Sequence, residues 1–184
     1  MENKIKEKLK TLVSEKRYNH SLMVAEEARR LASVYGVPEQ TAYLTGLAHD
    51  IAKKFSEEEN RYWVSKYSLD AEILNPDYRN LIHADIGAVV AKEWFDFSDE
   101  MCSAIRYHTI GHSTMTPLEK IIFIADKTAR DNLSEELTEV KKASYEDLDQ
   151  ALLIYLENQE NRLKERGFSQ HPETKQLVEN LKKK

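Results

Sequence analysis

One cysteine, Cys102, stands in the 184 residues, so no disulfide can close within the chain and nothing points to an oxidising compartment. Five glycines and four prolines are too few to punctuate the many short strands of a β-rich fold. No apolar run approaches the roughly 20 residues of a membrane span. Residues 1–12, MENKIKEKLKTL, interleave charge with single apolar residues where a secretory leader would carry an apolar block. Neither charge dominates: 27 Lys and Arg stand against 32 Asp and Glu, a net charge of -5, which gives no general attraction for a phosphate backbone. No membrane partner, no nucleic-acid partner and a cytoplasmic setting are therefore expected. A small phosphorylated ligand stays compatible, because cations or metal ions in a cleft reverse the field locally.

What is present favours helix. Hydrophobic residues make up 41% of the chain, and Leu, Ala, Glu and Lys fill long stretches at helical spacing, which predicts an all-α single-domain bundle. Ile5, Leu9, Leu12 and Val13 mark a first amphipathic helix to about Ser14. A second carries His20 and stops at Gly36-Val37-Pro38. A third runs from beyond Pro38 to the doublet His49-Asp50 near its end. Ser56, followed three residues later by Glu59, predicts a capping box for a fourth. After a turn at Asn75-Pro76-Asp77, a buried helix starts about His83, another runs from Met101 to His108, and Pro117 begins one that reaches Asp126. The polar stretch from there to Ser144 carries no assignable pattern. Ser144-Tyr145-Glu146-Asp147 reads as a helix start, with the helix ending near Arg166. His171-Pro172 opens a short charged helix, and Lys182 to Lys184 reads as a frayed terminus.

The chemistry concentrates in His and Asp. His20, His49, His83 and His108 each fall near an apolar segment, and Asp126 follows the continuous run Ile121-Ile122-Phe123-Ile124-Ala125. A carboxylate in such a place needs a partner, because burying it alone is costly. Imidazole and carboxylate without thiolate suit iron, manganese, cobalt or nickel. At a helix end, successive side chains such as His49 and Asp50 point in different directions and can reach two neighbouring ions. His112, in the same loop as His108, reads as an exposed residue, and Asp85 as a surface one. A scattered-histidine structural bundle and a non-catalytic nucleotide or metal sensor remain the rival readings at this point.

Taken in order, Arg17-Tyr18-Asn19-His20-Ser21, His49-Asp50-Ile51-Ala52-Lys53, His83 with Gly87-Ala88, Tyr107-His108-Thr109-Ile110-Gly111 and Asp126 resemble the HD superfamily. More narrowly they resemble its bacterial YqeK branch of symmetrical diadenosine tetraphosphate hydrolases. The resemblance implies one HD-type helical domain over 1–184, with a metal core at about 17–130 and a C-terminal helical cap at about 144–184. It implies two divalent metal ions, iron in this branch, held by His20, His49, Asp50, His83, His108 and Asp126, with Asp50 reaching both. Asp50, Lys53, His83 and His108 are the catalytic residues it implies. Substrate contacts fall on Arg17, Lys53, His83, His108, Thr109 and Arg130, and on the C-terminal string Gln170, His171, Pro172 and Thr174. The implied reaction cuts diadenosine tetraphosphate into two ADP, with the nucleotide as partner and a homodimer as the oligomer. Another HD-type nucleotidase or phosphodiesterase reaction is the nearest alternative. The chain departs from the family after Asp126, where Lys127-Thr128-Ala129-Arg130-Asp131 lacks the family's Pro-x-Arg step.

Overall fold

The computed structural model describes residues 1–183; Lys184, the end of the run read as a frayed terminus, lies outside them. The helices are α1 (Glu2–Leu12), α2 (Glu15–Tyr35), α3 (Glu39–Ala48), α4 (Glu57–Tyr67), α5 (Ile82–Phe95), α6 (Asp99–Tyr107), α7 (Pro117–Thr128), α8 (Glu135–Ser144), α9 (Leu148–Glu165) and α10 (Pro172–Leu181). Two 3-10 turns, Ala71–Leu74 and Pro76–Tyr78, link α4 to α5. Among the described residues there is no strand, and no helix is long and apolar enough to cross a membrane.

The helix ends follow local chemistry. Gly36 adopts a left-handed conformation (φ 68°) and its N–H closes α2 on the Ala32 carbonyl, a geometry that costs glycine nothing. Ser56 and Glu59 make the expected capping box, and Thr116 and Glu119 make a second one ahead of Pro117. Two readings are corrected. The polar stretch after Asp126 contains α8, capped by Ser134; of its residues only Val140 and Ser144 are buried, too thin a stripe to show as periodicity. Ser144 ends α8 instead of opening the next helix, and its hydroxyl donates back to the Lys141 carbonyl. The true cap of α9 is Asp147, whose carboxylate accepts from the amides of Asp149 and Gln150, as a short acidic side chain does at an N-terminus.

α7 is the axis of the packing. Leu118, Ile121, Ile122, Phe123, Ile124 and Ala125 are all fully buried, because α2, α3, α6, α8 and α9 surround it. Each large side chain placed this way stabilises the fold by roughly 1.5–3 kcal/mol relative to exposure. Charge also ties the outer helices α2 and α8 to each other: Glu27 of α2 is buried yet bonded to Lys141 Nζ at 3.0 Å and Tyr145 Oη at 3.1 Å. The α2–α3 contact is closer still, since a Cβ on Gly46 would lie 3.1 Å from Ala25 Cα and 3.2 Å from the Val24 carbonyl oxygen.

Those neighbours are helical backbone and cannot swing aside. Gly46→Ala should therefore lower stability by about 1–2 kcal/mol, although alanine is the better helix former by about 1 kcal/mol. Thermal denaturation measures this, and an unchanged or raised midpoint would show that α2 and α3 have slack at their crossing.

Candidate metal centre

Two histidines end helices in the same way. His49 is the residue after α3 and His108 the residue after α6, both in right-handed helical conformation. Each turns its ring back on its own helix, His49 Nδ1 to the Gly46 carbonyl at 2.7 Å and His108 Nδ1 to the Ile105 carbonyl at 2.6 Å. A carbonyl only accepts, so Nδ1 carries the proton and Nε2 presents a lone pair. Both rings are essentially inaccessible to solvent. His49 Nε2 makes no hydrogen bond there, although it lies 3.4 Å from Asp126 Oδ1 and 3.7 Å from Asp50 Oδ2.

Around these two rings the remaining donors close up. His20 Nε2 lies 3.0 Å from Asp126 Oδ1. His83, in the first turn of α5, lies 3.2 Å from Asp50 Oδ1 and 3.3 Å from His108 Nε2, and His108 Nε2 lies 3.8 Å from Asp50 Oδ1. Three overlapping groups result: His20, His49 and Asp50; His49, His108 and Asp126; Asp50, His83 and His108, each with its ligand atoms within 4.8 Å of one another. Asp50 belongs to two of them.

Cations frame the carboxylates. Arg17 donates to Asp50 Oδ2 at 2.7 Å, while Lys53 Nζ sits 3.8 Å from Asp50 Oδ1 and 2.9 Å from His83 Nε2. Lys127, which sequence reasoning missed, places Nζ 2.6 Å from Asp126 Oδ2 and 3.3 Å from the His108 carbonyl. Its only signal is a lysine directly after an aspartate at the end of a buried run. Burial alone would raise the Asp50 carboxyl, but His49, His108 and His83 outweigh it and hold it well below the usual range. Burial would raise Asp126 too, but the Lys127 charge and the contacts from His20 and His49 hold it well below the usual range. Burial lowers His108 despite the Asp50 charge and lowers Lys53, whereas at His49 the Asp50 and Asp126 charges outweigh burial and raise the imidazole.

That donor set fits divalent metal ions. Neutral imidazoles and carboxylates are the ligand forms such ions need, the Nδ1 of His49 and that of His108 are already fixed by carbonyls in the manner that orients metal-bound histidines, and the buried His49 Nε2 without a hydrogen bond is a donor site suited to a Lewis acid.

The other expected residues lie as follows. Thr109 is half-buried beside His108, and Arg130 is exposed just past α7. Thr174 is buried and donates to the Ile110 carbonyl at 2.8 Å, and Gln170 is buried with its amide on the Leu156 carbonyl at 2.7 Å. His171 caps α10 through Nδ1, 3.3 Å from the Glu173 amide, and Pro172 begins that helix. His112 binds the buried Glu119 at 3.0 Å in place of joining the cluster. Asp85 pairs with Arg106 at 3.3 Å, with its carboxyl raised by burial.

The model of the HD domain family matches residues 17–131. The chain belongs to the HD domain family, the metal-dependent phosphohydrolases. The match begins at Arg17 and ends just past Asp126, so it spans every member of the cluster. The chain is 34% identical to a symmetrical bis(5'-nucleosyl)-tetraphosphatase of Bacillus subtilis (strain 168), over 82% of this chain and 81% of that protein. It is 33% identical to the protein of the same name from Halalkalibacterium halodurans, over 90% of this chain and 89% of the other. Its fold matches the crystal structure of an HD superfamily hydrolase from Clostridium acetobutylicum, described as involved in NAD metabolism, with a TM-score of 0.90 at 33% identity, covering 100% of this chain and 97% of that one. The sequence resemblance to the HD superfamily and its symmetrical tetraphosphatase branch is thereby borne out, as is the all-α bundle.

Two predictions follow from the HD centre. Asp50→Ala removes the carboxylate common to two donor groups, and elemental analysis of the purified variant should find bound metal lost; full stoichiometry would refute the shared role. The second concerns acid. In metal-free protein, burial pushes His83 from 6.5 down to about 4, so between those values the unfolded chain binds the extra proton. The stability His83 contributes is complete above about 6.5 and lost as pH falls to about 4. His83→Asn should flatten the stability-against-pH curve in that window by up to about 3 kcal/mol, and a curve parallel to the wild type would contradict it.

Proposed function

We propose that the protein hydrolyses dinucleoside tetraphosphates symmetrically, taking diadenosine tetraphosphate and water to two ADP. The observation that carries the reading is the convergence of His20, His49, Asp50, His83, His108 and Asp126 in one cluster of overlapping ligand groups, most of them buried, in a chain similar along most of its length to symmetrical tetraphosphatases.

In this reading His20, His49, Asp50 and Asp126 would hold one ion, and Asp50, His83 and His108 would hold a second, iron in each case. When bound, the ions supply Lewis-acid stabilisation of the phosphate oxygens and activate the attacking water. The chain's own groups do the rest. The Gly46 and Ile105 carbonyls keep the Nδ1 protons of His49 and His108 in place, so each Nε2 stays a donor throughout. Lys53 brings an ammonium to the phosphate beside His83, and Arg17 a guanidinium beside Asp50, offsetting the charge that builds as the bond from phosphorus to the central bridging oxygen breaks. Water adds its oxygen to one half, and the departing half leaves as the second nucleoside diphosphate. Exclusion of water from the buried groups strengthens each of these attractions. Thr109, Arg130 and the string Gln170, His171, Pro172 and Thr174 complete the substrate contacts, and the nucleotide is met in the cytoplasm as a free small molecule.

Incubating metal-loaded protein with diadenosine tetraphosphate and separating the products chromatographically tests this directly. ADP should be the sole product, at two per substrate consumed; AMP with ATP, or no turnover, would overturn it.

A further inference from the structure

Beyond Lys127, the helices α7, α8 and α9 border a half-open cavity of about 290 Å³ lined by Lys127, Arg130, Glu136, Leu137, Tyr155 and Arg162. Three cations face it against one carboxylate, which makes it a place for anionic matter in a chain that is acidic as a whole. Lys127 belongs to both regions: it lines the cavity, and its ammonium touches Asp126 and the His108 carbonyl. Through Lys127 the cavity wall is therefore one side chain away from Asp126.

Arg162 is held in position. Its guanidinium donates to Glu136 and lies 5.8 Å from the centre of the Tyr155 ring, leaving further N–H groups for an incoming oxygen, since a guanidinium carries five. Arg130 is exposed at the mouth and makes no ion pair among the described residues. Tyr155 and Leu137 add an aromatic and an aliphatic surface, suited to the less polar end of a nucleotide. The volume is at the lower limit of small-molecule pockets, so it accommodates one arm of a dinucleotide and not the whole.

We propose that this cavity binds the departing nucleoside diphosphate half of the dinucleoside tetraphosphate, with Arg162 and Arg130 on its phosphates and Tyr155 and Leu137 against its nucleoside. The proposal rests on the tetraphosphate reading above. It makes Arg162 a specificity-determining residue, one that favours a two-armed substrate over a mononucleotide, because a mononucleotide held at the metal centre leaves the cavity unused.

The test is a titration calorimetry series on the metal-loaded full chain with two probes, ADP and a diadenosine tetraphosphate analogue whose central bridging oxygen is a methylene. Arg162→Gln should weaken the analogue about tenfold, as loss of a charge-assisted contact does, leave the first, tighter ADP equivalent at the metal centre within about twofold, and remove any weaker second ADP. Leu137→Trp, which fills the cavity from the opposite chemistry, should give the same split. Glu136→Gln should keep or tighten analogue binding, because it removes a negative charge; if it weakens the analogue as Arg162→Gln does, the pair is merely structural and the proposal fails. Equal loss of the analogue and of that first ADP equivalent, loss of neither, or no analogue binding by the wild type also overturns it. Binding with this split but without turnover would leave the cavity assignment standing and defeat the hydrolytic reading, so the two are judged separately.

Discussion

Two backbone carbonyls, those of Gly46 and Ile105, organise the site. Each accepts the Nδ1 proton of a histidine three residues later and so turns a helix end into a ligand mount. A helix leaves its last carbonyls without intrahelical partners, and here the imidazole that satisfies one of them is also the group the chemistry needs. The far nitrogen of each ring then points at Asp50 and Asp126, and its direction is fixed by the axis of the helix it terminates. Precision at the centre is thereby inherited from helix packing: the close crossing of α2 and α3 at Gly46 places His49, and the burial of α6 against α7 places His108 and Asp126.

The arrangement stores cost as well as order. Two ionised carboxylates and three imidazoles are withdrawn from water, which no fold favours without compensation. Arg17, Lys53 and Lys127 compensate in part by pairing with the Asp50 and Asp126 oxygens. In the proposed reading, an ion satisfying Asp50 and Asp126 would relieve these cations of that duty and free them for a phosphate chain. Binding energy for the ions is at the same time folding energy for the centre.

Much of this was legible in the residues. A long apolar run ending in Asp126 signals a carboxylate that needs partners, and the helix-end doublet His49-Asp50 signals two divergent ligands. Gly36, Ser56 and Pro117 marked helix ends correctly because capping is decided within a few residues. What the local sequence does not show depends on long-range packing. α8 buries too little to show a period, and Asp147 competes with Ser144 as a cap only once α8 is known to run through Ser144. Lys127 looks like an ordinary polar residue until folding brings the His108 carbonyl to it, and Arg162, 36 positions after Asp126, has no local pattern linking it to the site. The missing Pro-x-Arg step after Asp126 pointed to a change there without saying which side chains now line that face.

The central claim is that one buried carboxylate, Asp50, is shared by two metal positions, and anomalous diffraction from crystals of the metal-loaded protein addresses it most directly. Data collected on either side of the metal's absorption edge should show two peaks flanking the Asp50 carboxylate, one beside His20, His49 and Asp126 and the other beside His83 and His108. A single peak away from Asp50, or none within the cluster at full loading, would contradict the account.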